Sequence, residues 1–269
     1  MRRRGLSLVE ILIAIVLLDI VGAGISRMLN SQLRFFARGT NARDARTVSR
    51  NALNLTRSEL RMVEPNGIVG ASEDSLRVRL PYLMGLYCAA STGTFVPADS
   101  LTRALAQYGG YAWRDTTAGA VYTYVTGAAL PAVGLAATCT GAGLTPIPNG
   151  PVLSVTPVLA GVATSAPFFL WQTVTYRFGP SSLVPGRLAL WRQAGTAAAE
   201  EIAVPLDTAS RFNFYTTGIT SETAVPSPLN TMRGIEILLF GESERTSPGR
   251  DGPEQALQRV SIFFRNAVQ

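Results

Sequence analysis

The chain has 269 residues and a formal net charge of +6, with no histidine and only two cysteines. Without histidine, the Ser-His-Asp and Cys-His relays of hydrolases are excluded, and so are the common zinc ligand sets. An enzyme that uses carboxylates is compatible with this composition, but no pair of acids points to one, since Glu200 and Glu201 would lie on opposite sides of a strand. We therefore expect a protein that is not an enzyme and that holds no cofactor or metal.

The N-terminus combines a basic cluster with a long apolar run. Arg2–Arg4 precede Gly5, and the apolar run that follows contains two acids, Glu10 and Asp19. A charge at membrane depth costs about 2.5–3.5 kcal/mol on insertion scales, so Glu10 requires a partner of opposite sign. Cleavage after Gly5 would create that partner, because Leu6 would then carry a positively charged amino terminus.

The order of residues from Arg2 to Glu10 resembles the class III leader of type IV prepilins and type II secretion pseudopilins. The family pattern is a short basic leader, a glycine, an apolar residue, a few small or apolar residues and then a glutamate. Leu6 departs from the commonest first residue. The resemblance implies that prepilin peptidase removes a leader of residues 1–5 between Gly5 and Leu6 and methylates the new amine. It also implies that Glu10 pairs with the amino terminus of a neighbouring pilin or pseudopilin.

Two other interpretations of this segment stay open. An ordinary secretory signal needs a small-residue cleavage site beyond the apolar run, and Ala23–Ser26 is a weak one. A plain signal anchor needs only about 20 apolar residues. Neither of them explains Gly5 or Glu10. The basic cluster keeps the N-terminus cytoplasmic, so the resemblance predicts a single-pass protein of the inner membrane. Asp19 is outside the family pattern; it is predicted to face a cationic group of a neighbouring subunit or to lie near the outer interface.

Residues 6 to about 63 are predicted to form one helix, with a membrane-spanning half at 6–26 and an amphipathic half at 27–64. At 1.5 Å per residue this helix would be about 87 Å long, which suits a shaft that packs into a filament. The helix is predicted to stop at Glu64, because the residue before a proline is pushed out of the helical region. Apolar residues at three- and four-residue spacing form a stripe on the second half, namely Ala45, Val48, Ala52 and Leu55.

Positive charge is concentrated in the leader and in residues 27–61, which carry a net +6, whereas residues 62–269 carry −1. A basic helix can bind nucleic acid, but this one has no base-reading motif. In the family that the chain resembles, this segment packs against its own sheet and against other subunits, and it meets anionic lipid near the bilayer. We therefore expect membrane lipid and other pilins as partners, and no nucleic acid.

The globular body is predicted at 68–269, with a loop-rich insert at 85–167. A strand at 75–80 alternates strictly between apolar and polar residues. The insert is rich in Gly, Ala, Thr and Pro and contains one strand candidate at 121–125. Its aromatic residues are predicted to form local core rather than a binding patch; they are Tyr108, Tyr111, Trp113, Tyr122 and Tyr124.

The two cysteines, Cys88 and Cys139, would lie outside the membrane, in a compartment that permits disulfides. A bond between them would close a loop of about 52 residues and is worth about 4 kcal/mol in the chain-entropy model. Two buried free thiols are the alternative. We favour the disulfide because of the compartment.

The C-terminal third is predicted to be an antiparallel meander, and three acids in a polar loop at 241–253 are predicted to be solvated. These acids, Glu242, Glu244 and Asp251, match no defined calcium loop. One long helix followed by strands, without alternation, argues for an α+β fold with an antiparallel sheet. The predicted strands are 172–178 and 187–192, which form a hairpin, and then 201–204, 211–215, 234–240 and 259–264.

This tail, from Val174 to Asn266, resembles PilW-type minor pilins and J-type minor pseudopilins, which also end in a strand running into Arg-Asn. The two resemblances together imply a pilin-like fold, with a long N-terminal helix packed on the antiparallel sheet. They imply a minor pilin that is assembled into a type IV pilus or at its tip. The alternatives are a minor pseudopilin of a type II secretion system and a pilus-associated adhesin that uses the insert 85–167.

Overall fold

The computed structural model contains one long helix and a large antiparallel sheet, as predicted for an α+β fold. It describes residues 8–88, 92–96, 106–114, 122–127, 132–133, 144–145, 147–154, 162–216, 218 and 220–264. The helix α1 is Leu8–Leu60, and short 3₁₀ turns lie at Pro65–Gly67 and Leu229–Thr231. The strands in these residues are β1 Ile68–Ala71, β2 Ser75–Tyr87, β3 Thr92–Phe95, β4 Tyr108–Arg114, β5 Tyr122–Thr126, β6 Ala132–Val133, β7 Val152–Ser154, β8 Pro167–Pro180, β9 Leu188–Ala194, β10 Glu200–Leu206, β11 Arg211–Tyr215, β12 Gly234–Thr246 and β13 Pro253–Phe263.

Helix α1 has 53 residues and is therefore about 80 Å long. It ends at Leu60, earlier than predicted, because the hydrogen bonds change from the α-helical spacing of four residues to a spacing of three before Pro65. The amides of Met62 and Val63 each donate to the carbonyl three residues back, at 3.0 and 3.2 Å. Glu64 then has an extended backbone, as expected for a residue that precedes Pro65.

The C-terminal part of α1, called its upper part and containing the buried residues from Ala45 to Leu60, packs against β10, β12 and β13. The stripe of buried residues is rotated around the helix from the predicted stripe. Leu55 lies at the edge and is 40% exposed. Ser49 and Thr56 lie in the interface instead. The Ser49 hydroxyl donates a hydrogen bond to the Ala45 carbonyl, and the Thr56 hydroxyl donates one to the Ala52 carbonyl. These bonds satisfy the buried hydroxyls, so small polar side chains serve in a closely packed contact. The buried residues of the helix are Ala45, Ser49, Ala52, Leu53, Thr56 and Leu60.

All the described strands belong to one sheet with antiparallel pairing throughout, in the order β11-β12-β10-β9-β8-β2-β3-β7-β6. The edge strand β13 pairs with β12, and β1 pairs with β2. The hairpin of β8 and β9 confirms the predicted pairing of 172–178 with 187–192. The main hydrophobic core lies between α1 and this sheet and includes Leu60, Tyr176, Leu190 and Ile237.

Two strands are longer than the sequence pattern indicated. Strand β2 continues past Pro81 with a register irregularity between Pro81 and Leu83, so the regular alternation stops there although the strand does not. The prediction of a polar loop at 241–253 is wrong. Strand β12 continues through Thr246, and β13 already begins at Pro253. The turn between them is short, and polar residues such as Glu242 and Ser243 are buried in β12.

The described residues of the predicted insert 85–167 extend the same sheet. Strand β8 pairs along its first half with β4 and along its second half with β9. The prediction that the aromatic residues form core is confirmed, since Tyr111 is fully buried and the others pack on two clusters. Tyr108 and Trp113 pack against the buried cluster that contains Tyr111 and Phe168, whereas Tyr122 and Tyr124 pack against the cluster of Phe169 and Trp171. The boundaries of the insert stay a prediction.

Candidate assembly surface on the N-terminal helix

The lower part of α1 carries the largest exposed apolar surface in the described residues. Every residue from Leu8 to Phe36 is exposed. This segment is long and apolar enough to cross a membrane. An apolar surface of this size on a soluble monomer marks a membrane or protein contact. The lower part of α1 is therefore the candidate functional surface of this chain.

The two acids of this segment lie on opposite sides of the helix. Glu10 and Asp19 are nine residues apart, and at 100° per residue this separation places them half a turn from each other. Both side chains are exposed. One contact on a single side of the helix therefore cannot use both acids. Gly5 and Leu6, the predicted processing residues, lie outside the described residues.

A segment of exposed helix, here called the neck, separates the apolar run from the body. It covers residues 27–38 and carries three exposed arginines on one side, at Arg27, Arg34 and Arg38, since spacings of seven and four residues keep side chains nearly aligned. The first hydrogen bonds to the body occur above it, where Asn41 Nδ2 donates to the Arg245 carbonyl and to Ser247 Oγ at 3.2 and 3.0 Å. The neck therefore separates the body from the part of α1 that is apolar enough to cross a membrane.

At its upper end α1 is fastened to the sheet by a partly buried ion pair. Arg192, in β9, donates from Nη2 to Glu59 Oε1 at 2.7 Å and from Nε to Glu59 Oε2 at 3.0 Å. The Tyr176 hydroxyl donates to the same carboxylate. Burial and the charge of Glu59 raise the pKa of Tyr176 well above its usual value. Burial acts to lower the pKa of Arg192, but the hydrogen bonds and charge of Glu59 outweigh it and raise that pKa.

A second carboxylate, Glu236 in β12, is 2% exposed and has four partners. It accepts from Asn213, Tyr215 and Ser221 and pairs with Arg259 Nε at 3.2 Å. Burial acts to raise the pKa of Glu236, but the hydrogen bonds from Ser221 and Asn213 and the charge of Arg259 lower it. This cluster attaches the segment around Ser221 to the outer face of the sheet and points to no substrate.

The prediction that all three acids of 241–253 are solvated is wrong for Glu242. Its side chain is buried and lies 2.8 Å from Arg187 Nη1, whereas Glu244 and Asp251 are exposed. Glu242 Oε1 also accepts from Gln255 at 3.1 Å. Within the part of the chain that the structure describes, no group of three acid, histidine or cysteine side chains is arranged to hold a metal ion.

Cys88 directly follows β2 and is buried there. It is disulfide-bonded. Its predicted partner, Cys139, lies outside the described residues, so the pairing of Cys88 with Cys139 stays a prediction. Glu200 and Glu201 do not act together: Glu200 is exposed, whereas Glu201 accepts hydrogen bonds from Ser181 and Ser182.

Sequence reasoning missed the buried or partly buried contacts that Glu59, Glu236 and Glu242 make with arginines. Their only signal was a position next to an apolar stripe or within an alternating strand. Comparisons of the chain with family models, with curated proteins and with solved structures give no match.

Proposed function

We propose that this chain is a minor pilin-like structural subunit, processed by prepilin peptidase and assembled into a type IV pilus or at its tip. The observation that carries the proposal is the division of α1 into two parts. The lower part is bare and apolar and carries Glu10, whereas the upper part is fastened to an antiparallel sheet by Glu59 and Arg192. Such a molecule can leave a bilayer for a bundle of helices without any change in its body.

In this proposal the bilayer stores the subunit before assembly. The basic leader stays cytoplasmic and the body lies outside. Processing between Gly5 and Leu6 supplies a cationic amine at the start of an apolar helix. Glu10 of an adjacent subunit pairs with that amine, which offsets the desolvation of both charges in the low dielectric of the helix bundle. The subunit ends in a cell-surface filament.

The proposal is tested first by the N-terminal residue of the mature protein. We expect N-terminal mass spectrometry to find methylated Leu6. A mature chain that keeps Arg2–Arg4, or that begins beyond the apolar run, would overturn the proposal. The measurement is made on full-length protein from membranes and on sheared filaments, so that processing and incorporation are read separately.

The role of Glu10 is tested by Glu10→Leu and Glu10→Gln. Both remove the charge, and only the glutamine keeps the size and hydrogen-bonding capacity of the side chain. We expect both variants to be processed normally and to be lost from filaments. Ser31→Ala is the matched control, because Ser31 is also exposed on α1 and no pairing role is proposed for it. Normal incorporation of Glu10→Leu would contradict the pairing.

A further inference from the structure

Strand β13 leaves one edge of the sheet open in the described part of the chain, because it pairs there with β12 alone. Phe264 N donates to the Arg233 carbonyl at 3.0 Å, and the register continues without a shift from Phe263 to Gln255. Since bonded pairs alternate along antiparallel strands, the even-numbered residues of β13 bond to β12. The odd-numbered residues therefore point their N–H and C=O groups outwards; they are Gln255, Leu257, Arg259, Ser261 and Phe263.

This open edge lacks the features that usually prevent the addition of a strand. Natural edge strands are often very short, or carry proline, bulges or several charges. From Gln255 to Phe263 there is no proline and only one charge, Arg259, which pairs with Glu236 of β12 at 3.2 Å. Leu257 and Phe263, on the face of β13 that is turned away from α1, are 50% and 55% exposed. The edge therefore offers both free backbone groups and apolar side chains to a further strand.

A row of arginines on α1 runs beside the open edge. Its members lie within about 60° of one another around the helix and about half a turn from Glu59. Because Glu59 faces β9 through its pair with Arg192, the row faces the β13 side of the sheet. Its last member lines a surface pocket together with Ser261 and Phe263 of β13. The arginine row consists of Arg46, Arg50, Arg57 and Arg61.

The arginine row and the open edge match in position and length. Gly241 lies against Ala45 and Ser49 of the helix and pairs with Ala256, so the lower ends of the row and of the edge are level. The row rises about 22 Å over its length, and the edge from 255 to 263 is about 27 Å long. All four arginines are exposed, and none forms an ion pair with a described residue. The groove between α1 and β13 is therefore basic along one wall.

These two walls define the segment that fits the groove. A strand added to β13 turns its side chains alternately to the two faces of the sheet. One set faces α1 and the arginine row, where acidic residues are favoured, and the other lies beside Leu257 and Phe263, where apolar residues are favoured. A second copy of β13 does not meet this requirement, because it has no acid between Gln255 and Phe263. In an antiparallel pair of such edges the two arginine rows would also meet on one face of the sheet and repel each other.

We propose that the groove between α1 and the open edge of β13 binds an extended segment of another protein, in which acidic and apolar residues alternate. The segment pairs antiparallel with β13, as the neighbouring strands of this sheet do. Its apolar residues bond to the outward N–H and C=O groups, and its acidic residues pair with the arginine row. The inference goes beyond the proposed function and is independent of processing at Gly5, because the groove belongs to the body and the upper part of α1.

The test is the binding of labelled eight-residue peptides to the full-length protein in neutral detergent, measured by fluorescence anisotropy. The probe alternates valine and glutamate. One control peptide alternates valine and lysine, and another has the composition of the probe with all glutamates at one end. We expect the probe to bind about tenfold more tightly than either control, because only the probe satisfies both walls.

N-methylated probes test the strand pairing itself. In the antiparallel arrangement the valine N–H groups bond to β13, whereas the glutamate N–H groups point away from it. N-methylation of the two central valines is therefore expected to abolish binding, and N-methylation of the two central glutamates to preserve it. This comparison leaves the protein unchanged, so it does not depend on the folding of a variant.

Variants test the two walls separately. Arg50→Gln with Arg57→Gln is expected to weaken binding of the probe about fivefold, as for the loss of two exposed ion pairs. The matched control is Arg27→Gln with Arg34→Gln, which removes the same charge from the neck. Leu257→Pro removes an outward N–H group and no bond to β12, a position at which an edge strand accepts proline. We expect it to abolish binding, whereas Leu257→Ala keeps the N–H group and most of the binding.

Equal binding of the probe and the valine-methylated peptide, or of the probe and the lysine peptide, would overturn the inference. Equal weakening by the two arginine pairs would overturn the role of the row. A single-stranded oligonucleotide that binds Leu257→Pro normally, with no binding of the probe to the parent, would assign the row to nucleic acid instead. The N-terminal residue is read by mass spectrometry in the same samples. Absence of peptide binding in chains that begin at Leu6 would therefore overturn this inference and leave the proposed function standing.

Discussion

Glu59 in the last turn of α1 and Arg192 in β9 form a two-point contact, with N–O distances of 2.7 and 3.0 Å. The two residues are 133 positions apart in the chain. Their side chains are only 14% and 19% exposed, so the pair is weakly screened by solvent. It therefore couples the upper helix to the sheet.

Glu59→Gln is expected to destabilise the body, because Arg192 would remain partly buried without its counter-charge. Breaking a fully buried pair costs about 3–5 kcal/mol; with the residual exposure of this pair we expect about 2 kcal/mol. The measurement is urea unfolding of the full chain in detergent, followed by tryptophan fluorescence. Glu73→Gln is the control, since Glu73 is exposed. Equal unfolding midpoints for the two variants would contradict this role of the ion pair.

Stability is expected to fall in acid, partly through Glu236. Its pKa in the folded protein is lowered from the ordinary value of 4.5. Its contribution is therefore fully present above about pH 4.5 and is lost as the pH falls through the folded-state pKa. Glu236→Gln should unfold more easily at pH 7 and lose less stability than the parent between pH 6 and pH 3. Glu222→Gln is the control, because Glu222 is exposed. If the stability of Glu236→Gln depends on pH in the same way as that of the parent, this role of Glu236 is contradicted.

Gly241→Ala is expected to loosen the contact between α1 and the sheet. A Cβ at Gly241 would clash with Ser49 Oγ and with the Ala45 carbonyl oxygen of the helix backbone. Overpacking of this kind costs about 1–3 kcal/mol. Thermal unfolding by circular dichroism measures the loss. Gly252→Ala is the matched control, because a Cβ there meets nothing within 4 Å; if both variants melt together, the close approach does not matter for stability.

Arg79 in β2 is expected to stabilise the packing of β2 with β5 and β8 through its contacts with two aromatic rings. Its guanidinium carbon lies 4.9 Å from the centre of the Tyr124 ring and 5.1 Å from that of Trp171. Arg79→Met keeps most of the apolar side chain and removes the charge, and we expect a loss of about 1 kcal/mol. Arg77→Met is the control in the same urea unfolding measurement, because Arg77 lies on the same face of β2 and is exposed. Equal losses of stability in the two variants would contradict a cation–π contribution from Arg79.

Much of the fold follows from local patterns. The apolar run and the position of Pro65 predicted α1 to within a turn at its C-terminal end, because hydrophobicity and a missing amide act within a few residues. Alternation predicted the strand at 172–178, which lies within β8. It failed where a strand departs from regular pairing, as β2 does at Pro81. It also failed in β12, where acids alternate into buried positions that the sequence pattern assigns to solvent.

The order of residues along one helix is enough to predict the apolar helix and the position of Glu10 within it. Which carboxylates are buried depends instead on contacts between distant parts of the chain. Glu59 pairs with Arg192 of a distant strand and Glu242 with Arg187, just before that strand, and nothing near either acid in the chain indicates these contacts. A charge is buried only when folding brings a partner to it, and that partner depends on strand order and register, which local patterns do not specify.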